Sequence, residues 1–205
     1  MAEKDRKRWD EWYGGDELAM GSEPPEFIRD CRLCLPRSGR ALDVACGEGQ
    51  VVTWLARRGM SAVGLDISER ALQKAARLSR ETNVEQRTEF AAWDLEQGLP
   101  ELDGEFDLIT CLRYYQPSLM PALRARLAPG GLLLLEVRMV TPEKDGRFRA
   151  DPGETLGFAG DLHVHLYREG RIGDRDGAQL LAQRPPVSRM VFESSPQPGA
   201  EASRD

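Results

Sequence analysis

Three carboxylates and two glycines stand at intervals suited to gripping a small cationic ligand. Leu42-Asp43-Val44 reads as the end of a buried strand. It lies in the run Ala41-Leu-Asp43-Val-Ala45-Cys-Gly47-Glu-Gly49-Gln50. Gly47 and Gly49 let the backbone turn sharply and come close to a ligand. Val51 to Gly59 then has helical spacing and a glycine stop. Strand, glycine turn and helix make a nucleotide-type site. A dinucleotide fingerprint, G-x-G-x-x-G, rests a pyrophosphate on the helix N-terminus. Its third glycine falls on Val52 here, so that fingerprint fails. Asp43 and Glu48 also add negative charge where a pyrophosphate would sit. Such a loop favours a ligand with no phosphate and a positive centre. S-adenosylmethionine, a sulfonium that also carries an ammonium group, is one.

Asp66 follows Gly47 by 19 residues, close to the interval at which an acid accepts hydrogen bonds from ribose hydroxyls. Asp94 comes after a third strand-like run and is placed to accept from the exocyclic amine of adenine. Ile67 and Leu95 are the apolar neighbours that would sandwich the ring. Each acid also has a plainer use: Asp43 as a cap on the loop, Asp66 on the following turn, Asp94 as a solvated side chain. Three acids at the ends of three successive strands, beside a glycine loop, favour the ligand.

The elements that position these groups alternate. Residues 1–8 are charged and expected to fray, and Trp9, Trp12 and Tyr13 follow as a short aromatic segment, either a lid over the site or a staple onto the core. Pro24-Pro25 opens a helix through Phe27, Ile28, Cys31 and Leu35. Strands are expected at 40–45, 61–66, 85–92, 106–112 and 132–139. A helix capped by Ser68 runs to about Arg80, and another spans 117–127. Pro129-Gly130-Gly131 reads as a turn. A short helix at 152–156, strands at 162–168 and 178–183 forming a hairpin, and a possible strand at 189–193 complete the pattern. The regular alternation specifies a doubly wound, Rossmann-like α/β sheet with helices on both faces. The expected organisation is an N-terminal segment over 1–24, a single domain over 25–193 and a disordered Pro/Ser/Ala-rich tail over 194–205.

Leu42-Asp43-Val-Ala-Cys-Gly47-Glu-Gly49, Gly64-Leu-Asp66-Ile-Ser68, Ala92-Trp-Asp94-Leu, Phe106-Asp107-Leu-Ile and Leu127-Ala-Pro-Gly-Gly131 together resemble the ordered signature of class I S-adenosylmethionine-dependent methyltransferases. The resemblance covers about residues 25–140. It implies a seven-stranded sheet whose last strand is antiparallel. It also implies a cofactor site at Asp43, Ala45, Gly47, Gly49, Asp66, Ile67, Asp94, Leu95 and the backbone near Cys111. Ala45 stands where the family often has glycine, and Gln50 takes the third glycine position. Trp9-Asp-Glu-Trp12-Tyr13 and Leu112-Arg113-Tyr114-Tyr115-Gln116 are similar to the small tellurite-resistance and thiopurine methyltransferase-like enzymes, which implies a small, soft acceptor.

Methyl transfer is an in-line displacement for which the cofactor supplies the electrophile and the protein the positioning. A thiol, selenide or telluride acceptor needs little base catalysis, whereas oxygen or nitrogen needs a group to take its proton. Arg113, Tyr114 and Tyr115 follow the fourth strand, where cofactor and acceptor should meet. Arg113 is placed to hold an anionic acceptor, with Tyr115, Trp9 and Tyr13 lining its pocket. His163 and His165 share one face of a strand without a third ligand, and Cys31-x-x-Cys34 has no second pair, so no metal site is expected. Cys46 and Cys111 keep arsenite methylation open. Two other readings compete: a cofactor-binding protein of the same fold that has lost turnover, and a nicotinamide-dependent oxidoreductase, disfavoured by Val52 and Asp43.

The bulk composition fits. With 205 residues, 40% apolar and 30% charged, the chain has the makings of one globular domain. A net charge of -6 argues against nucleic acid as an electrostatically held partner. No apolar run approaches the length of a membrane span, the N-terminus lacks the apolar core of a signal peptide, and four scattered cysteines fit a reducing compartment. A cytoplasmic location is expected. No feature specifies an oligomeric state.

Overall fold

The computed structural model describes residues 2–141, 146 and 148–186. The strand expected at 189–193 and the tail over 194–205 lie outside them. Seven strands run side by side in the order β3-β2-β1-β4-β5-β8-β7. These are β1 (Arg40–Val44), β2 (Ser61–Asp66), β3 (Thr88–Ala92), β4 (Phe106–Leu112), β5 (Leu127–Met139), β7 (His163–Ile172) and β8 (Arg175–Gln183). The two-residue β6 (Arg149–Ala150) pairs with β5 off this path. β1 to β5 are parallel, and β8 inserts antiparallel between β5 and β7.

Alternation along the central strands explains how both faces are buried. Leu42, Ile109, Leu133 and Leu135 point into one core, while Ala41, Leu108, Leu132 and Leu134 point into the other. The second core is closed by α2 (Glu26–Asp30), through Phe27 and Ile28, and by α3 (Gln50–Arg57), through Val51, Val52 and Leu55. Runs that are apolar on both sides are what a doubly covered sheet requires. α4 (Glu69–Glu81) begins where expected, the Ser68 hydroxyl accepting from the Ala71 amide.

Several boundaries differ from the sequence reading. Residues 2–8 are not frayed: they belong to α1 (Ala2–Trp12). A Glu3–Lys7 pair one turn apart supports that helix, and the Asp10 carboxylate docks on the Ser68 hydroxyl at 2.7 Å. β3 starts at Thr88 because Glu85–Arg87 form a 3-10 turn. The helix expected over 117–127 is a 3-10 turn followed by a short α5 (Met120–Ala125). β5 begins early, at Leu127, and Pro129-Gly130-Gly131 makes its turn as a bulge within the strand: Gly130 takes φ +82°, the β4–β5 register shifts there, and reciprocal backbone bonds with Arg184 hold the segment. The stretch after Pro25 is likewise a short helix and a 3-10 turn. The terminal hairpin forms and is longer than expected, and α6 (Glu154–Gly157) stands for the short helix near 152–156.

Candidate active site

The strand order reverses between β1 and β4, and in open α/β sheets ligands bind beyond the carboxyl ends at that point. Asp43 sits there. It is opposite Thr110 in the β1–β4 register, and the Thr110 hydroxyl donates to its carboxylate at 2.6 Å. Only 3% of Asp43 is exposed, and among the described residues no cation pairs with it. Burial pushes its pKa up to about 7, the Thr110 hydrogen bond opposes this, and the nearby Asp66 charge adds to it. A buried carboxylate without a cation is costly.

The loop after β1 holds Ala45, Gly47 and Gly49 at φ of +57°, +53° and +75°. A side chain on Gly49 would run into Ala75 at 2.6 Å, so glycine allows α3 to pack against α4 there. Ala45 takes the left-handed conformation with a Cβ, which costs about 1 kcal/mol and gives a physical reason for glycine at this position.

Asp66, 7% exposed, closes this loop. Its two oxygens accept from the Gly47 amide at 2.8 Å and the Ser68 amide at 2.9 Å. Burial raises its pKa against the pull of these bonds. Asp94 accepts from the Glu96 amide and the Gln97 side chain, capping a 3-10 turn. Asp66 thus carries the turn-capping duty of its plainer reading, whereas Asp43 bonds across to Thr110 instead of capping the loop and Asp94 caps a 3-10 turn instead of standing solvated; the three still converge on one end of the sheet. Ile67 is half-buried beside Asp66, and Leu95 is buried in the first core.

Glu48 does not face a ligand. Its carboxylate is buried and accepts from the Ala19 and Met20 amides, from Gln50 and from Lys74 at 3.0 Å. Lys74 also donates to the Glu17 carbonyl, and Gln50 to the Gly21 carbonyl. These side chains clasp residues 16–21 over the start of α3. The charge at the loop that disfavours a pyrophosphate is therefore that of Asp43 and Asp66, since Glu48 is neutralised by Lys74. Lys74 was not singled out from the sequence, and Gln50 was noted only as standing at the third glycine position. The available signal was a lysine on the inward stripe of α4, beside Ala71, Ala75 and Leu78.

The aromatic segment reaches the site through Tyr13. Its hydroxyl lies over Gly47, where an added Cβ would come within 2.9 Å of it, and its ring stacks on Trp9. Trp12 points to solvent at 61% exposure. Burial and the Asp66 charge hold the Tyr13 phenol well above its ordinary pKa, and Arg113 is near enough to oppose them. Arg113 follows β4 at φ +65°, its amide bonded to the Glu136 carbonyl at 2.6 Å. Tyr114 is half-buried and meets the Phe148 ring at 5.4 Å. Tyr115, expected at the acceptor pocket, is instead turned into a third core cluster with Val137, Met139 and Ala150, and only 8% of it is exposed. Alternation along the chain after β4 sends one of two adjacent tyrosines inward.

The Cys111 side chain is also fully buried, so it can meet a ligand only through its backbone. Burial raises the Cys46 and Cys111 thiols, which disfavours the thiolates that arsenite chemistry would use. Cys31 is buried and Cys34 exposed, and no group of three metal-binding side chains occurs among the described residues. His163 and His165 meet edge to ring on exposed β7, with His165 bonded to Gln183.

This strand order, with its antiparallel β8, departs from the 3-2-1-4-5-6 order of dinucleotide-binding sheets. With the glycine loop and the strand-end acids it matches the arrangement implied by the resemblance to class I S-adenosylmethionine-dependent methyltransferases. Residues 41–131 match the methyltransferase domain family. The chain is 34% identical over 109 residues to the ubiquinone biosynthesis O-methyltransferase of Dechloromonas aromatica (strain RCB), covering 51% of this chain and 46% of that protein. It thus spans about half the length of such curated relatives. TehB from Haemophilus influenzae superposes with a TM-score of 0.67 at 16% identity, over 87% of this chain and 66% of TehB. The N-methyltransferase NodS from Bradyrhizobium japonicum WM9, in complex with S-adenosyl-L-homocysteine, superposes with a TM-score of 0.67 at 20% identity, over 88% of this chain and 98% of NodS. No helix among the described residues is long and apolar enough to cross a membrane.

Proposed function

We propose that this protein transfers a methyl group from S-adenosylmethionine to a small-molecule acceptor. The observation that carries this reading is Asp43, a buried carboxylate at the sheet's switch point with no cation beside it. A ligand bearing a sulfonium and an ammonium group supplies the missing charge, and the bound cofactor brings an activated methyl group. Asp66 accepts from the ribose hydroxyls with the lone pairs left over from Gly47 and Ser68. Asp94 accepts from the adenine amine, and Ile67 and Leu95 flank the ring. The backbone at Ala45, Gly47, Gly49 and Cys111 admits the ligand at close range. Trp9 and Tyr13 cover it, while Arg113 and Tyr114 face the acceptor.

The test is S-adenosylhomocysteine release by the full chain against a panel of thiols, chalcogen oxyanions, carboxylates and amines, alongside thermal shifts with S-adenosylmethionine, S-adenosylhomocysteine and NAD. Stabilisation by the first two and release with one acceptor class are expected. Stabilisation by NAD alone would overturn the assignment. Cofactor binding with no release on any acceptor would leave a cofactor-binding protein that has lost turnover.

A further inference from the structure

The cofactor-side residues leave the acceptor unidentified, and the other side of Arg113 bears on it. There an open cleft of about 190 Å³ lies between the end of β5 and the β7–β8 hairpin. It is smaller than the roughly 300–1,000 Å³ of a pocket for a whole ligand, which suits a subsite for one end of a molecule. Four guanidinium groups line it: Arg113 after β4, Arg138 on β5, Arg168 on β7 and Arg175 on β8.

Two of them are fixed by a hydrogen-bonded relay across the sheet. Arg168 donates to Gln179, the Gln179 amide donates to Glu136, and Glu136 pairs with Arg113 at 3.4 Å. Arg175 pairs with Asp174 at 3.5 Å, and Asp176 is taken by Arg171. Arg138 has no hydrogen bond or ion pair among the described residues. It lies opposite Gly177 in the β5–β8 register, which offers it no side chain, and beside Arg149, a like charge, in the β5–β6 register. Burial and repulsion from Arg175, Arg149 and Arg113 all disfavour its charge, with Asp174 the one opposing carboxylate. An unpaired guanidinium among like charges gains most from a bound oxyanion, which it can meet with two parallel hydrogen bonds. The cleft begins at Arg113, beside the end of β4 and close to Tyr13.

We propose that this cleft binds the oxyanion group of the methyl acceptor, with Arg138 as its principal ligand and Arg113 at the boundary with the reacting end. The acceptor is then a small organic acid, its carboxylate or phosphate anchored away from the atom that is methylated. This rests on the methyltransferase reading, but the anion site can be tested without turnover. Calorimetric titration of the full chain with benzoate, phenyl phosphate and benzamide should show binding of the anions and not of the amide. Arg138→Gln should weaken anion binding at least tenfold and leave S-adenosylmethionine affinity unchanged, with Arg138→Lys in between. The tighter of the two anions tells carboxylate from phosphate. Equal binding of benzamide and the anions, or no effect of Arg138→Gln, would overturn the proposal. Arginine-dependent anion binding in a chain that does not bind S-adenosylmethionine would refute the methyltransferase reading instead and leave the anion site standing.

Discussion

The two ends of the β4 boundary are built on opposite principles. On the β1–β2 side, Asp43, Glu48 and Asp66 are buried, and their partners are backbone amides, one hydroxyl, one glutamine amide and one lysine. On the β5–β8 side, the charged groups are long, exposed arginines, of which Arg168 and Arg113 are tied into a relay across neighbouring strands while Arg138 has no partner among the described residues. Buried, backbone-defined sites are rigid and specific for one ligand shape. Exposed guanidinium groups recognise charge and tolerate variation in the rest of the molecule. Within one domain, the end proposed for the cofactor is therefore constrained and the end proposed for the acceptor adaptable.

The largest test of that contrast is Glu48→Ala. It leaves Lys74 buried without its partner and releases the Ala19 and Met20 amides, so a loss of about 4 kcal/mol in chemical denaturation is expected. Hydrogen exchange should rise over residues 16–21. A loss under about 1 kcal/mol would mean that the clasp is as loosely held as the arginine cleft.

The next effect comes from pH. Asp43 keeps its proton up to about 7 in the folded chain, whereas its ordinary value is 3.8. The folded state therefore binds more protons than the unfolded state between those values, and ligand-free stability falls as pH rises through that window, on the order of 4 kcal/mol. Asp43→Asn should flatten this part of the profile in melts from pH 4 to 8. A cationic ligand should bind more tightly as pH rises through 7, because it favours the ionised carboxylate. An unchanged profile in the variant would place the dependence elsewhere.

Asp66→Ala sharpens the comparison by separating stability from binding. It removes the acceptor for Gly47 and Ser68 but also relieves a buried carboxylate, so the effects on folding oppose one another. S-adenosylmethionine affinity should fall more than tenfold by calorimetry, since the ribose hydroxyls lose their acceptor. The smallest effect is a gain: Ala45→Gly should stabilise the ligand-free chain by about 1 kcal/mol by relieving the left-handed backbone at φ +57°. No gain in denaturation midpoint would mean that the loop absorbs the strain.

The geometry of the candidate cofactor end was legible because its information is local. Gly47, Gly49 and the acids at strand ends lie within short windows whose spacing implies strand, turn and helix. The clasp was not legible, because Lys74 and Gln50 meet Glu48 and residues 17–21 across long separations. The sequence reading put Tyr115 at the acceptor pocket, and packing decided otherwise: Tyr114 meets Phe148, while Tyr115 packs against Phe158 in the core. The arginine cleft was invisible except for Arg113, since its walls come from β5, β7 and β8 and depend on the antiparallel register.

By itself, then, the sequence determined the alternation of elements, the glycine turn and the three acids, because periodicity and turn chemistry act between near neighbours. The tertiary structure alone decided that Glu48 faces the N-terminal segment rather than a ligand, that Tyr115 is core, and that four arginines share one cleft. Those outcomes depend on which distant strands and helices are brought together, and no local pattern encodes that choice.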